Sequence, residues 1–148
     1  MDRRKTRVIF LCTGNSARSQ MGEAFLRHYA SDYFDVYSAG FDAKGVHPMT
    51  AQVMEERGID LSGHSSKELD QYLGEMHFGV TITVCEKAEE VCPTFPGLGT
   101  RLYWPFPDPA AFTDSDEEKL EKFREVRDDI EGKVIEWLNS RGIETIKH

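Results

Sequence analysis

Three cysteines are too few to staple a chain of 148 residues, so its fold must rest on a core and not on a disulfide scaffold. Long apolar runs are also missing. Nothing approaches the roughly 20 consecutive apolar residues of a membrane-spanning helix, and no membrane partner is expected. Positive charge is scarce: 18 lysines and arginines stand against 26 aspartates and glutamates, a formal net charge of -8 that argues against nucleic acid or an anionic membrane as partner. The basic start Met1-Asp2-Arg3-Arg4-Lys5 runs into a strand-like stretch, with neither the apolar core nor the cleavage site of a secretory signal. A cytoplasmic protein with reduced thiols is expected. Internal repeats and low-complexity linkers are lacking too, which leaves one domain over residues 1–148, large enough to bury about 68 to 70% of its unfolded surface.

What is present is concentrated in Val8-Ile9-Phe10-Leu11-Cys12-Thr13-Gly14-Asn15-Ser16-Ala17-Arg18-Ser19. Consecutive apolar residues with a β-branched pair predict a buried strand, Gly14-Asn15 tolerates positive φ, and from Gln20 the spacing of Met21, Ala24, Phe25, Leu26 and Tyr29 is helical, with Glu23 in the first turn. A helix N-terminus offers unpaired N–H groups and a partial positive charge. Thr13, Gly14, Asn15, Ser16, Ala17 and Arg18 are therefore expected to wrap a tetrahedral oxyanion, with the Cys12 sulfur below and the Arg18 guanidinium alongside. The same field is expected to lower the Cys12 pKa, and Ser19 to donate a hydrogen bond to the sulfur. The loop is neither G-x-G-x-x-G nor a Walker loop, so no nucleotide cradle is indicated.

Downstream, Phe34 to Ser38 alternates as a second strand. Val46-His47-Pro48 opens a helix that Gly58 stops, Ile59 to Leu61 is a short strand candidate, and Lys67 to Leu73 a short helix. Phe78 to Val84 is the most strand-like run, Glu86 to Val91 can form a helical turn or two, and Leu102 to Trp104 suits an edge strand. Ser115 to Asn139 is a long amphipathic helix carrying Leu120, Phe123, Val126, Ile130, Val134 and Trp137 on one face, its acidic start (Asp114, Asp116, Glu117, Glu118) solvated. Strands alternating with helices predict an α/β three-layer sandwich: a four-stranded parallel sheet with helices on both faces and right-handed crossovers.

The third strand also ends in a cysteine. In an open parallel sheet the ligand crevice lies beyond the carboxyl ends of the strands, so Cys12 and Cys85 can face one site. A fully helical Glu86 to Val91 would hold Cys85 and Cys92 about 10 Å apart, beyond the Cα separation of about 7 Å that a disulfide tolerates. Either this pair only packs, or it bridges by unwinding the segment, and a third cysteine facing the same crevice favours redox chemistry. Asp108 lies between Pro107 and Pro109, aimed by a stiff backbone, and suits proton donation to a leaving oxygen. The histidines and cysteines do not make a zinc site, and no metal or other cofactor is expected.

Cys12 to Ser19, Ser38-Ala39-Gly40, Cys85-x6-Cys92-Pro93 and Asp108-Pro109 together resemble the thioredoxin-coupled arsenate reductases, which share the fold of the low-molecular-weight protein tyrosine phosphatases. The resemblance implies a relay of three thiols: Cys12 attacks arsenate held by the loop and Arg18, Asp108 protonates the departing oxygen, Cys85 attacks Cys12, and Cys92 takes over Cys85. Ser19 would assist at the sulfur. Arsenate is the implied substrate, thioredoxin the implied electron donor, and a monomer the implied state. Some family members hold potassium near the loop with an acidic residue where Lys67 stands here, and the Lys67 ammonium is expected to take the cation's place beside Asn15 and Ser38. Ala17 occupies a position where many relatives carry a further cysteine. A phosphotyrosine phosphatase working through a Cys12 phosphoenzyme is the alternative, but Ala110-Ala111 follows Asp108-Pro109 where that branch has tyrosines. A non-catalytic oxyanion sensor is a third reading.

Overall fold

The first strand, β1 (Thr6–Cys12), lies at the centre of the sheet, and its sequence explains why. Val8, Ile9, Phe10 and Leu11 are each fully buried. Side chains alternate along a strand, so burial of all four means that both faces are covered, as a three-layer sandwich requires. Val8, Phe10 and Cys12 point into the main core; Ile9 and Leu11 point to the opposite face. The computed structural model describes residues 5–15, 17–40, 44–68, 78–85, 100–111 and 115–143. Ser16, Cys92, Asp114, the Glu86 to Val91 segment and most of the predicted Lys67 to Leu73 helix lie outside the described residues.

β2 (Phe34–Gly40), β3 (Val80–Thr83) and β4 (Thr100–Tyr103) join β1 in a parallel sheet of order β2-β1-β3-β4. Helix α1 (Arg18–Ala30) packs on β1 and β2, α2 (Pro48–Glu55) packs on α3 (Asp116–Ser140), and α3 lies against α1. Phe123, Val126, Ile130, Val134 and Leu138 of α3 are buried at helical spacing. Its N-cap is Ser115, whose hydroxyl accepts from the Glu118 N–H.

Three expectations need correction. Ile59 to Leu61 is not a strand. Gly58 at φ 76° ends α2 in a Schellman motif, the Ile59 N–H bonding the Met54 carbonyl and the Gly58 N–H that of Glu55, and buried Leu61 packs into the core beyond it. Lys67 and Glu68 begin no helix: the Gly40 N–H bonds the Lys67 carbonyl, and Glu68 makes a parallel bridge with Gly40. Helix α1 begins at Arg18, two residues before the expected Gln20, which moves Glu23 out of its first turn.

Candidate active site

Cys12 is the last residue of β1, paired in register with Gly40, and is 3% exposed. Beyond it the chain must reverse at once. Asn15 makes the turn with φ 48°, a conformation that asparagine tolerates better than most side chains. Ala17, the N-cap of α1, offers no capping side chain, and the first turn holds no carboxylate. The helix's unpaired N–H groups are thus left for an anion.

The turn is held from behind by a buried polar network. Asn15 Nδ2 donates to Ser19 Oγ at 2.8 Å, and Asn15 Oδ1 accepts from Gln20 Nε2 at 3.0 Å and from the Lys67 N–H at 2.8 Å. Ser66 Oγ donates to the Asn15 carbonyl at 2.7 Å. Gln20 Nε2 also donates to the Ser65 carbonyl, and Gln20 Oε1 lies 3.2 Å from His64 Nδ1. Gly40 closes the support from β2: a Cβ there would meet the Thr13 carbonyl oxygen at 2.6 Å and the Asn15 nitrogen at 2.9 Å. Only glycine lets the second strand press so close.

Arg18 and Asp108 meet in the wall of the cleft that Cys12 also lines. Arg18 Nη1 donates to the Phe106 carbonyl at 3.0 Å, and Nη2 lies 3.7 Å from Asp108 Oδ2. Among the described residues, Arg18 Nε is the one buried side-chain polar atom without a hydrogen-bond partner. Asp108 Oδ1 accepts from the Ala110 N–H at 3.0 Å, which holds the carboxyl group on its proline-flanked loop. Between these walls lies a cleft of about 660 Å³, lined by Cys12, Thr13, Gly14, Ala17, Arg18 and Cys85 among others.

Cys85 follows β3 and is 5% exposed. Both Cys12 and Cys85 are free thiols, and Thr13 Oγ1 lies 3.6 Å from Cys85 Sγ. This neighbour reverses the expected Cys12 titration. The hydrogen bond with the Cys85 thiol, followed by burial, pushes the Cys12 pKa up, outweighing the opposing pull of Arg18 and the Gly14 N–H. Two thiols in such contact titrate as a pair, the proton lost second being the one held hard. Ser19 also departs from expectation: among the described residues its hydroxyl is engaged with Asn15 and makes no bond to Cys12, so it positions the turn.

The sequence reading missed Gln20, His64, Ser65 and Ser66. A signal was available for Gln20 and Glu23, polar residues on the part of α1 that carries Met21, Ala24 and Phe25. Glu23 is 3% exposed and bonded by Ser38 Oγ, with Arg27 at 2.7 Å and Lys67 Nζ at 3.8 Å. Lys67 Nζ also donates to the Ser65 carbonyl at 2.8 Å. The ammonium thus stands beside the carboxylate that Ser38 contacts, whereas Asn15 receives the Lys67 backbone N–H.

The sequence from residue 7 to 147 matches the family model for low molecular weight phosphotyrosine protein phosphatases. The chain belongs to that family. Within it, the chain is 45% identical over 135 residues to an arsenate reductase of Halalkalibacterium halodurans, an alignment covering 91% of this chain and 96% of the relative. A solved arsenate reductase in its oxidized state superposes with a TM-score of 0.77 at 29% identity, covering 91% of this chain and 98% of the other. A thioredoxin-dependent arsenate reductase of Corynebacterium glutamicum superposes with a TM-score of 0.67 at 28% identity, covering 92% of this chain and 61% of that one.

Proposed function

We propose that this chain reduces arsenate to arsenite through a thiol relay that starts at Cys12 and is reset by thioredoxin. The observation that carries the proposal is a second buried thiol, Cys85, lining the same cleft as Cys12 and Arg18. A phosphatase has no use for that second thiol. The N–H groups of Thr13, Gly14, Asn15, Ser16 and Ala17, with Arg18, would hold the oxyanion. Cys12 as thiolate attacks arsenic, and one oxygen takes a proton from Asp108 and leaves as water, giving a sulfur-bound As(V). Cys85 as thiolate then attacks the Cys12 sulfur. The S–As bond breaks with its electron pair staying on arsenic, which leaves as arsenite, and two thiols have become one disulfide. Cys92 attacks Cys85 in turn, frees Cys12, and the Cys85 to Cys92 disulfide passes to a thioredoxin-type dithiol. The thioredoxin dependence of the Corynebacterium relative supports that last step.

NADPH consumption with arsenate, thioredoxin and thioredoxin reductase tests the reading. Turnover that stops in Cys12→Ser, Cys85→Ser and Cys92→Ser supports it. Binding without turnover in the parent overturns it in favour of a sensor. Hydrolysis of an aryl phosphate is expected to survive Cys85→Ser, because the cradle and Cys12 suffice for it. Lys67 beside Glu23 supports a reading in which its ammonium serves where relatives use potassium. Activity is therefore expected to be the same in potassium and in sodium salts, and a saturable potassium activation would count against it.

A further inference from the structure

Gln20 is an unusual choice for a packing position. It lies in the first turn of α1, next to Met21, and is fully buried, where an amide is costly unless its polar atoms find partners. It finds them in two places. Gln20 Nε2 meets the Asn15 carbonyl at 3.2 Å, Asn15 Oδ1 at 3.0 Å and the Ser65 carbonyl at 3.0 Å, while Oε1 lies 3.2 Å from His64 Nδ1.

The chemistry of these partners fixes the direction of each bond. The Lys67 N–H can only donate, so Asn15 Oδ1 is an acceptor and Asn15 Nδ2 turns to Ser19 Oγ. The Asn15 and Ser65 carbonyls can only accept, so the Gln20 nitrogen faces them and its oxygen takes the proton on His64 Nδ1. Gln20 Nε2 thus stands among three acceptor oxygens. A donor is needed there, and bulk alone does not serve.

Asn15 is where the cradle reverses, at φ 48°, a conformation that a residue other than glycine keeps only when its surroundings impose it. Gln20 grips both oxygens of Asn15 and ties them to Ser65, and so imposes it. A turn that relaxes part of the time presents its N–H groups to an anion only part of the time, and the apparent affinity falls by that fraction. Once seated, the anion holds the turn itself. Capture is then weakened while the chemical step is spared.

We propose that Gln20 is a positioning residue for the oxyanion, its amide N–H groups holding the Asn15 turn in the binding conformation before the anion arrives. The inference rests on the oxyanion reading of the same site. Calorimetric binding of inorganic phosphate, and steady-state kinetics with arsenate and the thioredoxin system, test it in the parent, Gln20→Met and Gln20→Glu. Gln20→Met keeps the bulk and removes the donor: phosphate affinity is expected to fall, and the arsenate KM to rise, about five- to fiftyfold, with kcat changed by less than about threefold. Gln20→Glu keeps the shape but sets a carboxylate against three acceptor oxygens, and is expected to bind phosphate more weakly still. Arg127→Met strands the buried Val53 carbonyl where α2 meets α3, and is expected to lose stability with a parental KM. Parental phosphate affinity and KM in Gln20→Met overturn the inference, as does a fall in kcat with KM unmoved, or an Arg127→Met variant whose KM rises as far as that of Gln20→Met. If Gln20→Glu does not fold, Gln20→Met decides. A parent inert toward arsenate that still binds phosphate more tightly than Gln20→Met overturns the reductase reading and upholds the role of Gln20.

Discussion

Cys12 cannot be understood from its own loop. Arg18 and the Gly14 N–H pull its pKa down, yet the Cys85 thiol and burial win. Replacing Cys85 by alanine removes the largest upward cause. In a Cys92→Ser background, the pH profile of Cys12 alkylation is accordingly expected to move to lower pH in Cys85→Ala, with faster labelling at pH about 7. An unmoved profile would mean that the two thiols do not share a proton. Gly40 acts at the same scale through space alone. A Cβ 2.6 Å from the Thr13 carbonyl oxygen must displace the cradle backbone. Gly40→Ala is expected to cost about 1–3 kcal/mol in urea unfolding, and to depress both arsenate turnover and aryl phosphate hydrolysis. Loss of one activity alone would place the disturbance elsewhere.

Among the elements, α2 and α3 are joined by charge where they are not joined by apolar side chains. Arg127 of α3 is buried and donates to the Val53 carbonyl at 3.0 Å and to Glu56 Oε1 at 2.6 Å. Arg124 adds bonds from Nε and from Nη2 to the Glu56 carboxylate, and together these arginines hold the Glu56 pKa below its ordinary value. Arg127→Met keeps the bulk but strands a buried carbonyl. A loss of about 1–3 kcal/mol is expected in chemical denaturation, whereas Arg124→Met, at a solvated and screened position, is expected to cost under about 1 kcal/mol. Equal losses would mean that burial of the guanidinium has no special weight.

At the scale of the whole molecule, two histidines couple stability to pH. Burial is the leading cause that holds both His47 and His64 below the ordinary histidine range. His47 Nδ1 also accepts the Met49 N–H as the N-cap of α2, which only an unprotonated nitrogen can do. The unfolded chain gains its histidine protons near pH about 6.5, and the folded chain only at lower pH. The unfolded state therefore binds more protons as pH falls below about 6.5, and stability falls with it. The denaturation midpoint is expected to be level from pH about 8 to about 7 and to drop by pH about 5.5. The double variant His47→Asn with His64→Gln is expected to flatten that drop. A parental slope in the double variant would assign the acid sensitivity to carboxylates.

What the sequence determined by itself is what neighbours along the chain decide. A strand ending in Cys12, a turn at Gly14-Asn15 and a helix holding Arg18 form a contiguous unit, so both this strand–turn–helix unit and the fold class were legible from spacing. The long helix of α3 was legible for the same reason, its buried side chains recurring at one period over 25 residues. Even the meeting of Cys12 and Cys85 followed from a rule of parallel sheets, because strands that point the same way end on the same side. Tertiary structure alone decided which effect prevails at each site. The Gln20, His64, Ser65 and Ser66 network exists only because the chain folds back behind Asn15, and Ile59 lost its strand to a helix-terminating motif. The Cys12 titration changed direction because proton affinity answers to whatever lies within a few ångströms, and sequence distance does not measure that.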